Sequence, residues 1–248
     1  MKPTVLTGIS GTVGSPPLVG ASQQSKITSM TTVGRKTGPK PRFHIEDVIT
    51  TALSLGLDTF TLSDVARALK VSTPSLYRVV STREELVHLC LRHAAKELQL
   101  PPETQSWQDQ LRFYVDELWS FAERHPGTTK AIVDTPGAHI HVQQYFEDFG
   151  KSLTKAGFPG NTNVIDFTLD FLGDITLMTH IQVTTFRAST EHGITGFEQA
   201  KQIFDAAAKE TGGATHFPPN EAWIERGYLE RKVEFIIRGL EAKLAPEF

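Results

Sequence analysis

Five residues in one short run carry side chains suited to contact with a polyanion and with the edges of bases. Thr73, Pro74, Ser75, Tyr77 and Arg78 supply hydroxyls, two rings and a cation within six positions. Hydroxyls bond bases or phosphates, and a Thr methyl or the Pro74 ring can pack on a thymine methyl group. Tyr77 and Arg78 suit phosphate oxygens, which set register but carry no sequence information.

Such side chains work only if a helix presents them, and the flanking residues supply one. Leu62, Val65, Ala66 and Leu69 recur at i, i+3, i+4 and i+7, one apolar stripe of a helix. Thr61 and Asp64 stand in capping-box relation at its start. The stripe stops at Lys70-Val71-Ser72. Ser72 then caps a second helix, with Pro74 in its first turn, where a missing N–H is harmless. Leu76 and either Val79 or Val80 face inward, leaving Thr73, Ser75, Tyr77 and Arg78 largely outward. Ser81 and Glu84 predict the box that opens a longer helix through Leu86, Leu89 and Cys90 to Leu98. This spacing fits a helix-turn-helix that lays its second helix in the major groove. It fits equally two packed helices of a helical domain.

The segment from about Ile45 to Leu98 closely resembles the DNA-binding domain of the tetracycline-repressor (TetR) family of bacterial transcription regulators. Gly56, Phe60-Thr61, Val65-Ala66, Val71-Ser72, Leu76-Tyr77 and Ser81 to Leu86 carry the resemblance at fixed spacing. Arg83 replaces a frequent Lys, and Val80 a usual aromatic residue. The resemblance implies that Thr61 meets a phosphate, that Thr73, Pro74 and Ser75 face bases, and that Tyr77, Arg78 and Arg83 grip the backbone. Helix N-termini and cationic side chains both attract phosphate.

Charge divides the chain in the same way. Of 248 residues with net charge −3, residues 1–82 hold nine Lys/Arg against four Asp/Glu (+5). Residues 83–248 hold sixteen against twenty-four (−8). A basic head on an acidic body fits a DNA-binding segment joined to one that does not bind DNA. Residues 1–33 are rich in Gly, Ser, Thr and Pro, without apolar period, and read as a disordered tail. Residues 34–43 read as a basic arm in which Arg35, Lys36, Lys40 and Arg42 reach the minor groove, or else as a solvated linker. Residues 44–98 form the expected helix-turn-helix domain with its connecting helix. No secretory signal or membrane span is evident, and the single Cys90 excludes an intrachain disulfide, so a reducing cytoplasm is expected.

Residues 99–248 read as a larger helical domain. Trp107 to Ala122 keeps helical spacing up to His125-Pro126-Gly127, followed by a short segment to Pro136-Gly137. Helices are then expected over about 138–156, 164–189, 197–210 and 221–244. The expected class is all-α: an N-terminal three-helix helix-turn-helix domain plus a C-terminal ligand-binding and dimerisation domain. The resemblance implies a homodimer through helices 164–189 and 221–244, which would read two half-sites of a palindromic double-stranded operator. It also implies a small-molecule effector that shifts the population towards a DNA-incompetent state.

Polar or aromatic residues on apolar helices are the candidate lining: Trp119, His139, Tyr145, Phe149, Asp170, Asp174, Met178 and His180. For each of these alone a place in the core is favoured over the lining. Asp170 and Asp174, at i and i+4, share an environment and, if buried together, would raise each other's pKa or await a cation. No cofactor, metal site or catalytic residue is expected. Control by a protein partner is the alternative, and an all-helical enzyme a remoter one. The histidines lack metal-ligand spacing, and there is no phosphate loop and no G-x-S-x-G.

Overall fold

A computed structural model describes residues 43–191, 193–213 and 215–244. The basic-arm residues Arg35, Lys36, Lys40 and Arg42, and the tail before them, lie outside the described residues. Among the described residues the chain is all helical, apart from one isolated antiparallel bridge between Ser189 and Thr195. No described helix is long and apolar enough to cross a membrane.

Four helices build the N-terminal part. The first, α1 (Ile45–Leu55), opens with the Asp47 carboxylate accepting from the His44 N–H at 2.7 Å, and Gly56 at φ 90° ends it. In α2 (Leu62–Ala68) the expected box is present: Asp64 N donates to Thr61 Oγ1 at 3.1 Å, and Thr61 N to Asp64 Oδ2 at 3.0 Å. Lys70, at φ 56°, turns the chain into α3 (Thr73–Leu76), which Ser72 caps. The fourth, α4 (Arg83–Ala94), corrects the expected cap by one residue. Thr82 Oγ1 accepts from Glu85 N at 3.0 Å, and Ser81 N donates to Glu85 Oε2 at 2.7 Å. The run Ser-Thr-Arg-Glu-Glu offers two registers of one box, and the structure uses the second. Val80, in place of an aromatic side chain, is fully buried beside Leu76.

The larger part comprises α5 (Trp107–Arg124), α6 (Thr128–Asp134), α7 (Gln143–Lys155), α8 (Thr162–Arg187), α9 (Gly196–Thr211) and α10 (Leu229–Glu241). Two expected helices are corrected. The 138–156 helix starts as a 3₁₀ turn, Ala138–His141, before α7 begins. The 221–244 helix keeps one 3₁₀ turn at Glu221–Trp223 and becomes helical again only at Leu229. Gly227 and Tyr228 between them are left-handed, at φ 59° and 62°. Close approach explains the break, since a Cβ on Gly227 would stand 2.7 Å from Thr179 Cγ2 of α8.

The central helix, α8, buries Val164, Ile165, Leu169 and Leu172 against α5, α7 and α10. It also buries polar side chains, two of which bond the helix's own backbone. Thr168 and Thr176 donate to the carbonyls of Val164 and Leu172 at 2.7 and 2.6 Å, one turn back. Arg112 of α5 clamps α10 through both Glu234 oxygens, at 2.6 and 3.0 Å, which holds the Glu234 carboxyl below its ordinary range.

Two joints attach the first four helices to the rest, within one compact unit spanning 41–248. The first is apolar: the core around Leu57, Leu76, Leu86 and Cys90 also contains Phe121 of α5, Ala131 of α6 and Ala138. Burial pushes the Cys90 thiol up to about 12, so it serves as a small apolar filler. The second is polar and tight: Leu57 N donates to Pro126 O at 3.1 Å, and Gly127 sits against Asp58. Gly127 is left-handed at φ 79°, and a Cβ there would lie 2.2 Å from Asp58 Oδ1 and 2.7 Å from Asp58 N. Gly137 has the same backbone sign, φ 77°, with nothing near its would-be Cβ. Gly137→Ala should therefore cost only the left-handed penalty, about 1–2 kcal/mol, and Gly127→Ala clearly more, about 3 kcal/mol. Urea unfolding of the two variants checks this, and equal losses would show that the joint yields.

Candidate nucleic-acid interface and ligand cavity

The residues singled out on α3 do not all stand free. Ser72 Oγ and Ser75 Oγ are 2.8 Å apart, and Ser75 N reaches Ser72 Oγ at 3.3 Å, so the Ser75 hydroxyl is engaged in the cap. Thr73 is half-buried. Pro74, Tyr77 and Arg78 are exposed, Tyr77 by 53%. Neither Tyr77 nor Arg78 makes a side-chain hydrogen bond or ion pair among the described residues. Leu76, fully buried, pins the helix from beneath.

Two expected phosphate contacts have other work in this structure. Thr61 Oγ1 lies 2.6 Å from Asp64 Oδ2, so its hydroxyl proton faces a carboxylate. That carboxyl is itself held low by Thr61 and Arg67. Arg83 stays on the surface but folds back on the loop before α2, its Nε donating to Phe60 O at 2.9 Å and its Nη2 to Leu57 O and Asp58 O at 2.8 and 3.2 Å. Its guanidinium also lies over the Phe60 ring, 4.8 Å from the centroid. Arg83 thus ties α4 to the loop before α2. Lys70, at the left-handed turn into α3, is exposed on the surface and was not anticipated; its left-handed backbone is not legible in a residue type that rarely adopts it.

In the larger part, a cavity of about 630 Å³ opens between α5, α7 and α8. That size suits a drug-sized molecule. Four of the eight expected lining residues meet there: His139, Tyr145, Asp170 and Asp174. Tyr114, Phe146, Gln143, Asn163 and Asp166 join them. Asp166 was legible in principle, since Asp166, Asp170 and Asp174 repeat at i, i+4 and i+8. Tyr114 was not, because only the packing of α5 on α8 aims it there.

The other four expected residues lie elsewhere, for helical reasons. Phe149 is fully buried behind Tyr145, their rings 5.9 Å apart and nearly parallel. Met178, one turn beyond Asp174, lines an adjoining trough that shares His139 and Asp174 with the cavity. His180 is six residues past Asp174, about 240° round the helix. It faces Glu123 at 3.4 Å and Thr129 at 3.4 Å, and stands edge-on to Trp119. Burial lowers its pKa against the pull of Glu123. Trp119 packs on that same side, beneath the Arg226 guanidinium at 5.0 Å.

One short element touches both regions. The turn Ala138–His141 puts His139 on the cavity wall, and His141 Nε2 3.0 Å from His88 Nδ1 on α4. Burial first, then the neighbouring His88 and Arg92, holds the His141 imidazole below its ordinary pKa. A neutral His141 keeps a lone pair or a proton for His88, so one hydrogen bond links cavity wall and helix.

No protein-family model and no curated protein matches the sequence. Solved structures do match it. The Streptomyces coelicolor TetR family protein ActR in complex with actinorhodin superimposes with a TM-score of 0.60 at 20% identity, over 83% of this chain and 98% of that one. A possible TetR family transcriptional regulator from Streptomyces coelicolor A3(2) gives 0.56 at 18% identity, over 80% and 98%. Mycobacterium smegmatis BioQ gives 0.52 at 16%, over 81% and 99%. With its braced helix pair at one end and its helical body around a cavity, this chain has the fold of the TetR family of transcription regulators.

Proposed function

We infer that the protein is a sequence-specific DNA-binding transcription regulator, a cytoplasmic ligand-responsive repressor that binds a palindromic operator as a homodimer. The observation that carries this reading is the exposed surface of Pro74, Tyr77 and Arg78, unpaired among the described residues, on a helix braced by Leu76. An exposed cation and phenol without internal partners are available to phosphate at no internal loss. Pro74 and the half-buried Thr73 stand on the α3 surface for base contact, while Arg83 braces the loop before α2. The basic arm would add affinity from the minor groove.

Homodimerisation is supported by apolar surface left over on the last helices. Phe171 and Met178 on α8, Ile203 on α9 and Phe235 on α10 are exposed, Phe235 by 77%. A single α3 reaches few base pairs, and a pair of them supplies two half-sites about one DNA turn apart. ActR is solved with actinorhodin bound, a precedent on this fold for a small molecule. In this chain the effector would occupy the cavity, displace the Ala138–His141 turn through His139, and move α4 through the His88–His141 contact.

Selection of bound sequences from a random DNA pool tests the reading, and sequence-blind binding would sink it. On the selected DNA, Arg78→Ala should weaken binding by about tenfold with a shallower salt dependence and unchanged thermal stability. Arg83→Ala should instead lower stability by about 2 kcal/mol, since it strips three carbonyl contacts at once. The coupling has its own check. For any compound that releases the DNA, His141→Ala should leave the compound's affinity for the free protein within about threefold. Its effect on DNA affinity should shrink by about 1 kcal/mol, and unchanged release would place the coupling elsewhere.

A further inference from the structure

The cavity wall carries a chemical signature that bears on the kind of molecule it takes. Asp166, Asp170 and Asp174, all exposed, line it along one face of α8, and among the described residues no Lys or Arg does. None of the three carboxylates has an ion pair or hydrogen bond among the described residues. Among the described residues His139 is the one lining group able to carry positive charge, and it offsets at most one of the three. Partial burial, and then the charge of Asp170, raises the Asp174 carboxyl above its ordinary range, with His139 pulling the other way. Repelling carboxylates on one wall gain from a cation between them.

An independent feature of the same wall also points to a ligand. Tyr114 is 98% buried, being 2% exposed, and its ring lines the cavity. Its hydroxyl has no hydrogen-bond partner among the described residues. It lies against α8 where the helix has no side chain: a Cβ on Gly173 would be 3.0 Å from Tyr114 Oη. With the rest of the residue buried, that hydroxyl is left to bond what enters the cavity. It is also a neutral acceptor placed beside a carboxylate pair. The Tyr114 and Tyr145 rings stack with centroids 6.5 Å apart, and aromatic faces attract cations.

We propose that the cavity takes a hydrophobic organic cation, its positive centre held by Asp170 and Asp174 beside the Tyr114 hydroxyl and its apolar groups against the Tyr145 and Phe146 rings. This rests on the effector reading of the cavity and adds the ligand's charge class. An anionic ligand would meet three uncompensated carboxylates. A neutral one would leave them facing each other.

Two probes of the same size and shape but opposite charge test it. Tetraphenylphosphonium and tetraphenylborate are titrated calorimetrically into the full chain. The cation should bind at least about tenfold more tightly than the anion. D170N/D174N should remove that preference, and Y114F should weaken the cation several-fold. D205N/E210Q, the same change in charge on α9, should leave it intact. Equal affinities, a preference for the borate, no binding of either, or a cation preference untouched by D170N/D174N would each overturn the assignment. Release of selected DNA is read separately. Cation binding without release upholds the charge class and removes the effector reading, whereas release by the borate alone does the reverse.

Discussion

The head of this protein shares its core with the body. Leu76 and Leu86 are fully buried in a cluster that includes Phe121, Ala131 and Ala138, three residues supplied from the body. Four short helices, the third a single turn, bury too little surface to stand rigidly alone. Attachment supplies the missing apolar contact, and it also ties the position of α3 to the elements around the cavity. The Gly127–Asp58 approach and the Leu57–Pro126 hydrogen bond fix the same joint from its polar side.

That joint explains how a site for DNA and a site for a small molecule can belong to one mechanism. The α4 helix is the shared part, with Cys90 and Leu91 in the common core and His88 bonded to the turn that walls the cavity. Behind that turn, α8 contributes buried threonines bonded to its own backbone, the three-aspartate face of the cavity, and exposed Phe171 and Met178. A helix with three such faces transmits a change at one of them only as a rigid body, since packed interiors deform little.

Much of this was legible in the sequence, and the parts that were not share a cause. Caps and apolar stripes are local, so Thr61–Asp64, Ser72 and the Leu62–Leu69 face read directly. The errors arose where a distant element decides. Glu221 to Leu244 has the composition of one helix, yet Thr179 of α8 leaves no room at Gly227 and the chain turns there. Arg83 has a phosphate-binding chemistry, yet three carbonyls of the preceding loop take it first. In the cavity, helical spacing found Asp170 and Asp174, but could not tell Phe149 in the core from Tyr145 in front of it. Tyr114 reaches the wall only because Gly173 of α8 makes space for it.

The central claim is that head and body share one core, and native-state hydrogen exchange in increasing urea tests it most directly. The most protected amides of α1 and α4 should exchange through the same opening as those of α5 and α8, with free energies that converge on one urea-dependent line. A separate opening of α1 to α4, lower by more than about 2 kcal/mol than that of the body, would show a self-standing head and contradict the account.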